Sequence, residues 1–485
     1  MTASTSVPAL AATDSDLPAA ASAEPSGPSE ADSTRPGAGL AGMWALFVGL
    51  GLMMIGNGLN GAVIGIRSQA EGFSLIVTGV IMAGYFAGFL IAPTVIVSRI
   101  PKVGHIRAFA GLASTASSAV LVHAVSVSPI TWTLMRFVFG FCVAGLYVVI
   151  ESWLGEMTDS KNRGRTLAVY MIVSMGGLGV GQYLVAVADP RTFRLFIVSS
   201  VLVSMSLVPI TLAATTKAPV VAVPDKVSIR ELVAQVPTGV VGSFMTGAAT
   251  GVLLGLGAVY ATEIDLSIDR TALFLLAPFV GAILLQWPIG RLSDKISRRK
   301  VIFWVGAAGA VVALSMATLP PGNLAVAFFM FVLGGLLFPL YSLVVSYSLD
   351  WTADGKLVGT SGTLVRINGA GALAGPLVAA PLISTFGPQW FFWAIGIAFS
   401  VVVGFVAIRI VFREALPQDR QRKFIPFPAR AGMLAINIAV QPVRKAANRT
   451  VRSAQQRKSN VAKHPSNSTS EIFDGPSMTS PLDGD

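Results

Sequence analysis

Twelve long apolar stretches alternate with short polar ones along this chain, near 43–66, 75–98, 106–127, 130–154, 166–187, 193–214, 237–261, 271–290, 301–319, 323–348, 358–384 and 390–412. Most run to about 20 residues, the length of helix that crosses a ~30 Å hydrocarbon core. A membrane barrel would instead show short segments of period two. The pattern predicts an all-α membrane protein with twelve transmembrane helices. Residues 1–39, rich in Ala, Ser, Pro and acids, lack a basic stretch ahead of an apolar core and are expected to be a disordered cytoplasmic tail, not a signal peptide. Residues 215–235 are expected to form a cytoplasmic linker, and residues 414–485 a basic, largely disordered cytoplasmic tail in which Phe424 to Val440 can lie on anionic lipid or stay solvated.

The cations orient the spans. With the N-terminus inside, inner loops hold Arg99, Lys102, Arg107, Lys161, Arg163, Arg165, Lys217, Lys226, Arg230, Arg291, Lys295, Arg298, Arg299, Lys300 and Lys356, against Arg67, Arg191, Arg194 and Arg270 outside. That bias predicts two cytoplasmic termini and residence in the inner (plasma) membrane.

Composition removes other classes. The chain is 53% hydrophobic and 12% charged over 485 residues, with a mean hydropathy of +0.70. Its single cysteine, Cys142, excludes an internal disulfide, and three His without cysteine or acidic company make no metal site. No G-x-x-x-x-G-K-[ST] sequence is present, so nothing points to nucleotide hydrolysis. Neither a cofactor nor an enzyme activity is expected. The net charge of +11 falls at helix ends and in the tail, which suits lipid headgroups and not nucleic acid.

The chain also repeats itself. Gly49, Gly58, Thr78 and Gly88 match Gly242, Gly251, Thr271 and Gly281 at an offset of 193, and Gly140, Leu146, Tyr147, Ser152, Gly177 and Gly181 match Gly334, Leu340, Tyr341, Ser346, Gly371 and Gly375 at 194. Six spans fit within the offset, an even number, so the two copies share one orientation. The expectation is two parallel six-helix halves, 40–214 and 236–413, related by an axis along the membrane normal.

Between the eighth and ninth spans lies Gly290-Arg-Leu-Ser-Asp-Lys-Ile-Ser-Arg-Arg-Lys300, read as a tight cationic loop whose acid, Asp294, can bond the surrounding cations and helix ends. Its spacing, G-x-x-x-D-x-x-x-R-R-K, resembles the signature loop of the major facilitator superfamily, and the parallel halves resemble that family's architecture. The first-half counterpart, Ser98 to Arg107, is degenerate, with Pro101 opposite Asp294. More narrowly, Arg136-Phe-x-x-Gly140, Val149-Ile-Glu-Ser-Trp153, Asn162-Arg-Gly-Arg165 and Gly181-Gln182 look like the YcaD-type branch of bacterial facilitators. The resemblance implies transport of a solute by alternating access. The Gly-rich run Ser174 to Gly181 is read as close helix packing.

Candidate residues follow from polar groups inside apolar spans. Arg136, Gly140, Tyr147 and Glu151 fall within roughly a 60° arc of the fourth span, a stripe expected to face a water-filled interior. Glu151, about 22 Å from Arg136 along the helix, cannot neutralise it, so Arg136 needs another partner or must snorkel outward. Arg366, deeper from its helix end, is expected to face a cavity. Asn57, Asn60, Tyr147, Gln182, Tyr341 and Asn368 are candidates for contacting solute, with interhelical hydrogen bonding as the alternative for each. Glu151 is expected in an inner-gate ion network with Arg107, Arg163 or Arg165, beside the loop residues Gly290, Asp294, Arg298 and Arg299. Two deep arginines without a deep carboxylate lean towards a small polar or anionic organic solute. A drug–proton efflux antiporter and a non-transporting sensor signalling through the basic tail remain alternatives. Solute and lipid are the expected partners, with a monomer as the expected state.

Overall fold

The structure, a computed structural model, describes residues 43–158, 162–213, 227–318, 325–412, 417 and 421–424, with backbone alone for Glu156, Arg163 and Asp354. The two tails, apart from 417 and 421–424, lie outside the described residues. Twelve crossings are present among them. They are α1 (Trp44–Ala70), α2 (Leu75–Val103), α3 (His105–Val125), α4 (Pro129–Met157), α5 (Arg163–Tyr183), the pair α6 (Arg194–Met205) and α7 (Leu207–Ala213), then, after the short α8 (Ile229–Gln235), α9 (Pro237–Glu263), α10 (Ile268–Lys295), α11 (Arg298–Thr318), α12 (Ala325–Asp350), α13 (Leu357–Phe386) and α14 (Trp390–Phe412). Local chemistry sets several ends. Pro129 and Pro237 open α4 and α9, where a missing N–H costs nothing. Ser74 caps α2 through its hydroxyl, which accepts from the Val77 N–H. Gly104, at φ +89, turns α2 into α3 within one residue.

Three expectations change. The stretch Gly290 to Lys300 is mostly not a loop: α10 continues to Lys295 and α11 resumes at Arg298, leaving two residues between them. Its charges, read as loop residues, sit well on a helix, because Lys295 meets the negative end of α10 and Asp294 lies one turn from Arg298. The sixth span breaks at Ser206, whose hydroxyl bonds back to the Val203 carbonyl. The end of the linker is helical: Ser228 caps α8, and Lys356 pairs with Glu231 at 2.5 Å. The linker's first part, 215–226, lies outside the described residues.

Helix pairing explains why glycines recur at fixed offset. In the first half α2 pairs with α4, and α1 with α5 and α6; in the second, α10 pairs with α12, and α9 with α13 and α14. A Cβ on Gly88 would lie 2.0 Å from the Phe137 carbonyl oxygen, and its repeat mate Gly281 would meet the Phe331 oxygen at 1.8 Å. Gly181 against Ile55 (2.1 Å) and Gly375 against Ala248 (2.3 Å) repeat the relation between α1 and α5 and between α9 and α13. Only a hydrogen side chain lets the backbones approach this far.

The halves meet through α1 with α9, α2 with α13, and α5 with α10. Glycine contacts across that seam fall from mid-helix to the face away from the ends at Trp44 and Phe412. Gly65 meets Ala258, Gly79 meets Ala380 and the Pro376 carbonyl, and Gly179 meets Leu276 and Phe279, all towards that far face, while Gly369 meets Leu90 near the middle.

Candidate functional site

In the first half a polar group is built where α1, α2 and α4 pass one another. Arg136, about two turns into α4, is 4% exposed and does not snorkel. Its guanidinium carbon sits 4.8 Å above the Tyr85 ring, and Nη2 approaches the Met82 sulfur at 3.6 Å. A cation over an aromatic face gains electrostatic stabilisation that rises as water is removed. The Tyr85 hydroxyl in turn accepts from the Asn57 amide at 3.3 Å. Asn57, Asn60, Tyr85 and Arg136 each lie roughly 10–20 Å from the far ends of their helices, so they share a depth. Asn60 is fully buried, and neither its Nδ2 nor its Oδ1 has a hydrogen-bond partner among the described residues. Buried amides are nearly always bonded, so this one invites a guest.

The α4 stripe faces neighbouring helices more than open water. Gly140 lies against the Tyr85 backbone, the Tyr147 hydroxyl reaches the Met54 sulfur at 2.7 Å, and Glu151 accepts from the Tyr170 hydroxyl at 2.7 Å. Tyr147 and Glu151 are each 1% exposed. Arg107 and Arg165 are exposed, and the Arg163 side chain lies outside the described residues. Gln182 is buried in α5, which packs against α1, and Tyr341 is buried in α12.

Two expected companions part in the second half. Asn368 donates to the Ser243 carbonyl at 3.0 Å and to Thr246 Oγ1 at 3.4 Å, holding α13 to α9. Arg366, two residues earlier, points to the opposite side of α13 and is exposed.

At the ends of α10 to α12 the signature residues form a clasp with a segment of the tail. Arg298, 1% exposed, pairs with Asp350 and stands 3.7 Å from Asp294. Its Nη2 donates to the Arg422 carbonyl at 2.6 Å, while the Arg422 N–H donates to Asp350 Oδ1 at 3.0 Å. Arg422 also bonds the carbonyls of Leu349 and Thr352, and the Phe424 N–H donates to Asp294 Oδ1 at 2.7 Å. The Phe424 ring fills the hollow over Gly290, where a Cβ would lie 2.5 Å from it. Arg299 donates to the Arg409 carbonyl of α14 at 3.0 Å. Sequence reasoning missed Tyr85, Asp350, Arg422 and Phe424. Of these only Asp350 carried a signal, as the acid closing the tenth span opposite a cluster of cations.

The comparisons with known proteins match this architecture. The family model described as Major Facilitator Superfamily matches residues 239–456. The MFS-type transporter YcaD of Escherichia coli strain 536 is 27% identical over 376 residues, covering 76% of this chain and 95% of that protein. By sequence and by fold the chain is similar to transporters of the major facilitator superfamily. The YcaD of Escherichia fergusonii is 25% identical over 70% of this chain and 86% of its own. Among solved structures, the nucleoside transporter NupG shares the fold at a TM-score of 0.63 and 13% identity, covering 77% of this chain and 99% of that one. A POT family transporter does so at 0.60 and 13%, covering 77% and 96%. The chain shares their fold, with twelve helices among the described residues long and apolar enough to cross a membrane, built as two parallel six-helix pseudo-repeats.

Proposed function

We propose that this facilitator moves a small polar or anionic organic solute by alternating access, binding it between halves comprising residues 40–214 and 236–413. The observation that carries the reading is Arg136: a cation held at 4% exposure inside the membrane, on Tyr85, at a depth shared with the Asn60 amide, which has no hydrogen-bond partner among the described residues. Placing an arginine there costs at least ~2.5–3.5 kcal/mol, which a passive packing position gives no reason to spend. Asn57 and Asn60 supply directional hydrogen bonds, and Arg136 supplies the attraction for an anion. Tyr147, Gln182, Tyr341 and Arg366 are secondary candidates, with Asn368 in a packing role.

The cation bias of the loops supports cytoplasmic termini. Glycine contacts concentrated on the opposite face support a conformation closed to the outside, so the next step of a cycle is separation of α2 from α13 and of α5 from α10 there. Glu151, with Arg163 and Arg165, belongs to the inner gate in this reading, whereas Arg107 lines a groove between α2, α3 and α4 instead. The test is a flux screen in proteoliposomes across organic anions, sugars and cationic dyes, with and without a pH gradient. An anion or polar solute should be taken up, and Arg136→Gln should abolish uptake while the protein still folds. Uptake of cationic dyes alone, unaffected by that substitution, would overturn the proposal.

A sensor is a second reading, favoured by the docking of Arg422 and Phe424 on the signature residues, which joins the tail to the transport machinery. Truncation after Phe412 separates the two: a transporter keeps its flux.

A further inference from the structure

The outer side of the first half carries a groove of about 530 Å³ between α2, α3 and α4. Its walls include Leu112, Phe137 and Phe141, its floor passes Gly111, and Arg99 and Arg107 stand at the end nearest the Gly104 turn. From Arg107 to Thr115 the groove follows α3 for about 12 Å, well into the hydrocarbon layer. Both arginines are exposed, and neither has an ion-pair partner among the described residues. No carboxylate lines the groove.

The second half shows what such cations do when acids are at hand. There Arg298 is neutralised by Asp350 and Asp294, and Phe424 covers the neighbouring hollow. In the first half Pro101 stands where the repeat has Asp294, and His105, at the place of Arg298, bonds Ser152 at 3.0 Å. Among the described residues no acid meets the positive charge at Arg99 and Arg107, which leaves it open to an anion from outside the protein. That charge sits at the membrane edge, at the depth of lipid phosphates, above an apolar trough.

We propose that this groove is a binding site for one anionic glycerophospholipid, its phosphate held between Arg99 and Arg107 and an acyl chain lying over Gly111 against Leu112, Phe137 and Phe141. Guanidinium groups pair with phosphate through two parallel hydrogen bonds, which fixes the headgroup as well as attracting it. Two arginines near an anionic headgroup correspond to about a thirtyfold preference over a zwitterionic one. The site is independent of which solute the protein carries.

Native mass spectrometry of the detergent-purified full chain, titrated with phosphatidylglycerol or phosphatidylcholine, tests this. The wild type should retain one phosphatidylglycerol with about a thirtyfold preference. Arg99→Gln with Arg107→Gln should reduce that preference to near unity. Gly111→Phe should lose the bound lipid altogether; a Cβ at Gly111 meets nothing within 4 Å, so the ring fills the trough without displacing its walls. An unchanged melting temperature certifies the fold of each variant, and if Gly111→Phe fails that check the arginine pair decides alone. Equal retention of the two lipids by the wild type, an undiminished preference in the double variant, or displacement of the lipid by millimolar inorganic phosphate would each overturn the proposal.

Discussion

The two helix-pair ends that face the same side of the membrane, α2–α3 and α10–α11, began as copies and have settled their charge in opposite ways. In the second half everything is internal: Arg298 is buried on Asp350 and Asp294, and the tail brings Arg422 and Phe424 to complete the cluster. In the first half Pro101 stands at the place of Asp294, His105 rests on Ser152 with its ring 5.5 Å from that of Trp153, and Arg99 and Arg107 are exposed. The same scaffold position can thus be closed by the protein's own chain or left to the lipid. The lesson is that a buried cation demands a fixed partner, whereas an exposed one at the membrane edge can recruit a mobile one.

The largest effect in breaking this comparison comes from Asp350→Ala. It leaves Arg298 buried without its main counter-charge and should cost about 3–5 kcal/mol, seen as a large drop in melting temperature in detergent. The first-half equivalent, His105→Ala, removes a neutral hydrogen bond and part of a ring contact, and should cost about 1–2 kcal/mol in the same assay. Phe424→Ala opens the hollow over Gly290 and should cost on the order of 1 kcal/mol, less than a core phenylalanine because the ring is only partly buried. Pro101→Asp sharpens the comparison from the other side: supplying the missing acid beside Arg99 and Arg107 should weaken phosphatidylglycerol retention severalfold, an effect read by native mass spectrometry. Smallest of all, Arg99→Gln with Arg107→Gln should change stability in lipid-free detergent by no more than about 0.5 kcal/mol, since both side chains are exposed and have no ion-pair partner among the described residues.

The crossings and their doubling were legible because hydrocarbon imposes a length on every span and close helix contact imposes glycine at fixed places, as Gly88 and Gly281 show. The clasp was not. Arg422 and Phe424 read as members of an ordinary basic tail, and their partners Asp294 and Asp350 lie some 130 and 72 residues away, beyond any local pattern. The polar group around Arg136 was half visible. The arginine and Asn57 stand out in an apolar span, but Tyr85 looks like any interfacial aromatic until α2 is laid against α4. Asn368 illustrates the opposite error, a polar residue that looked available and is consumed in joining α13 to α9. The charged run at Gly290 read as a loop because charge at a membrane edge is compatible with a helix end and with a turn alike, and the sequence pattern there has no period to choose between them.

The central claim is that the contacts on the far face must part and re-form for solute to cross. Gly179→Cys with Phe279→Cys, in a Cys142→Ser background, would place one cysteine on α5 and one on α10 with Cβ atoms 3.1 Å apart, close to the roughly 3.5–4.5 Å of a disulfide. Flux through proteoliposomes of the oxidised protein should fall to background and return on reduction. Undiminished flux while the bridge is intact would contradict the account.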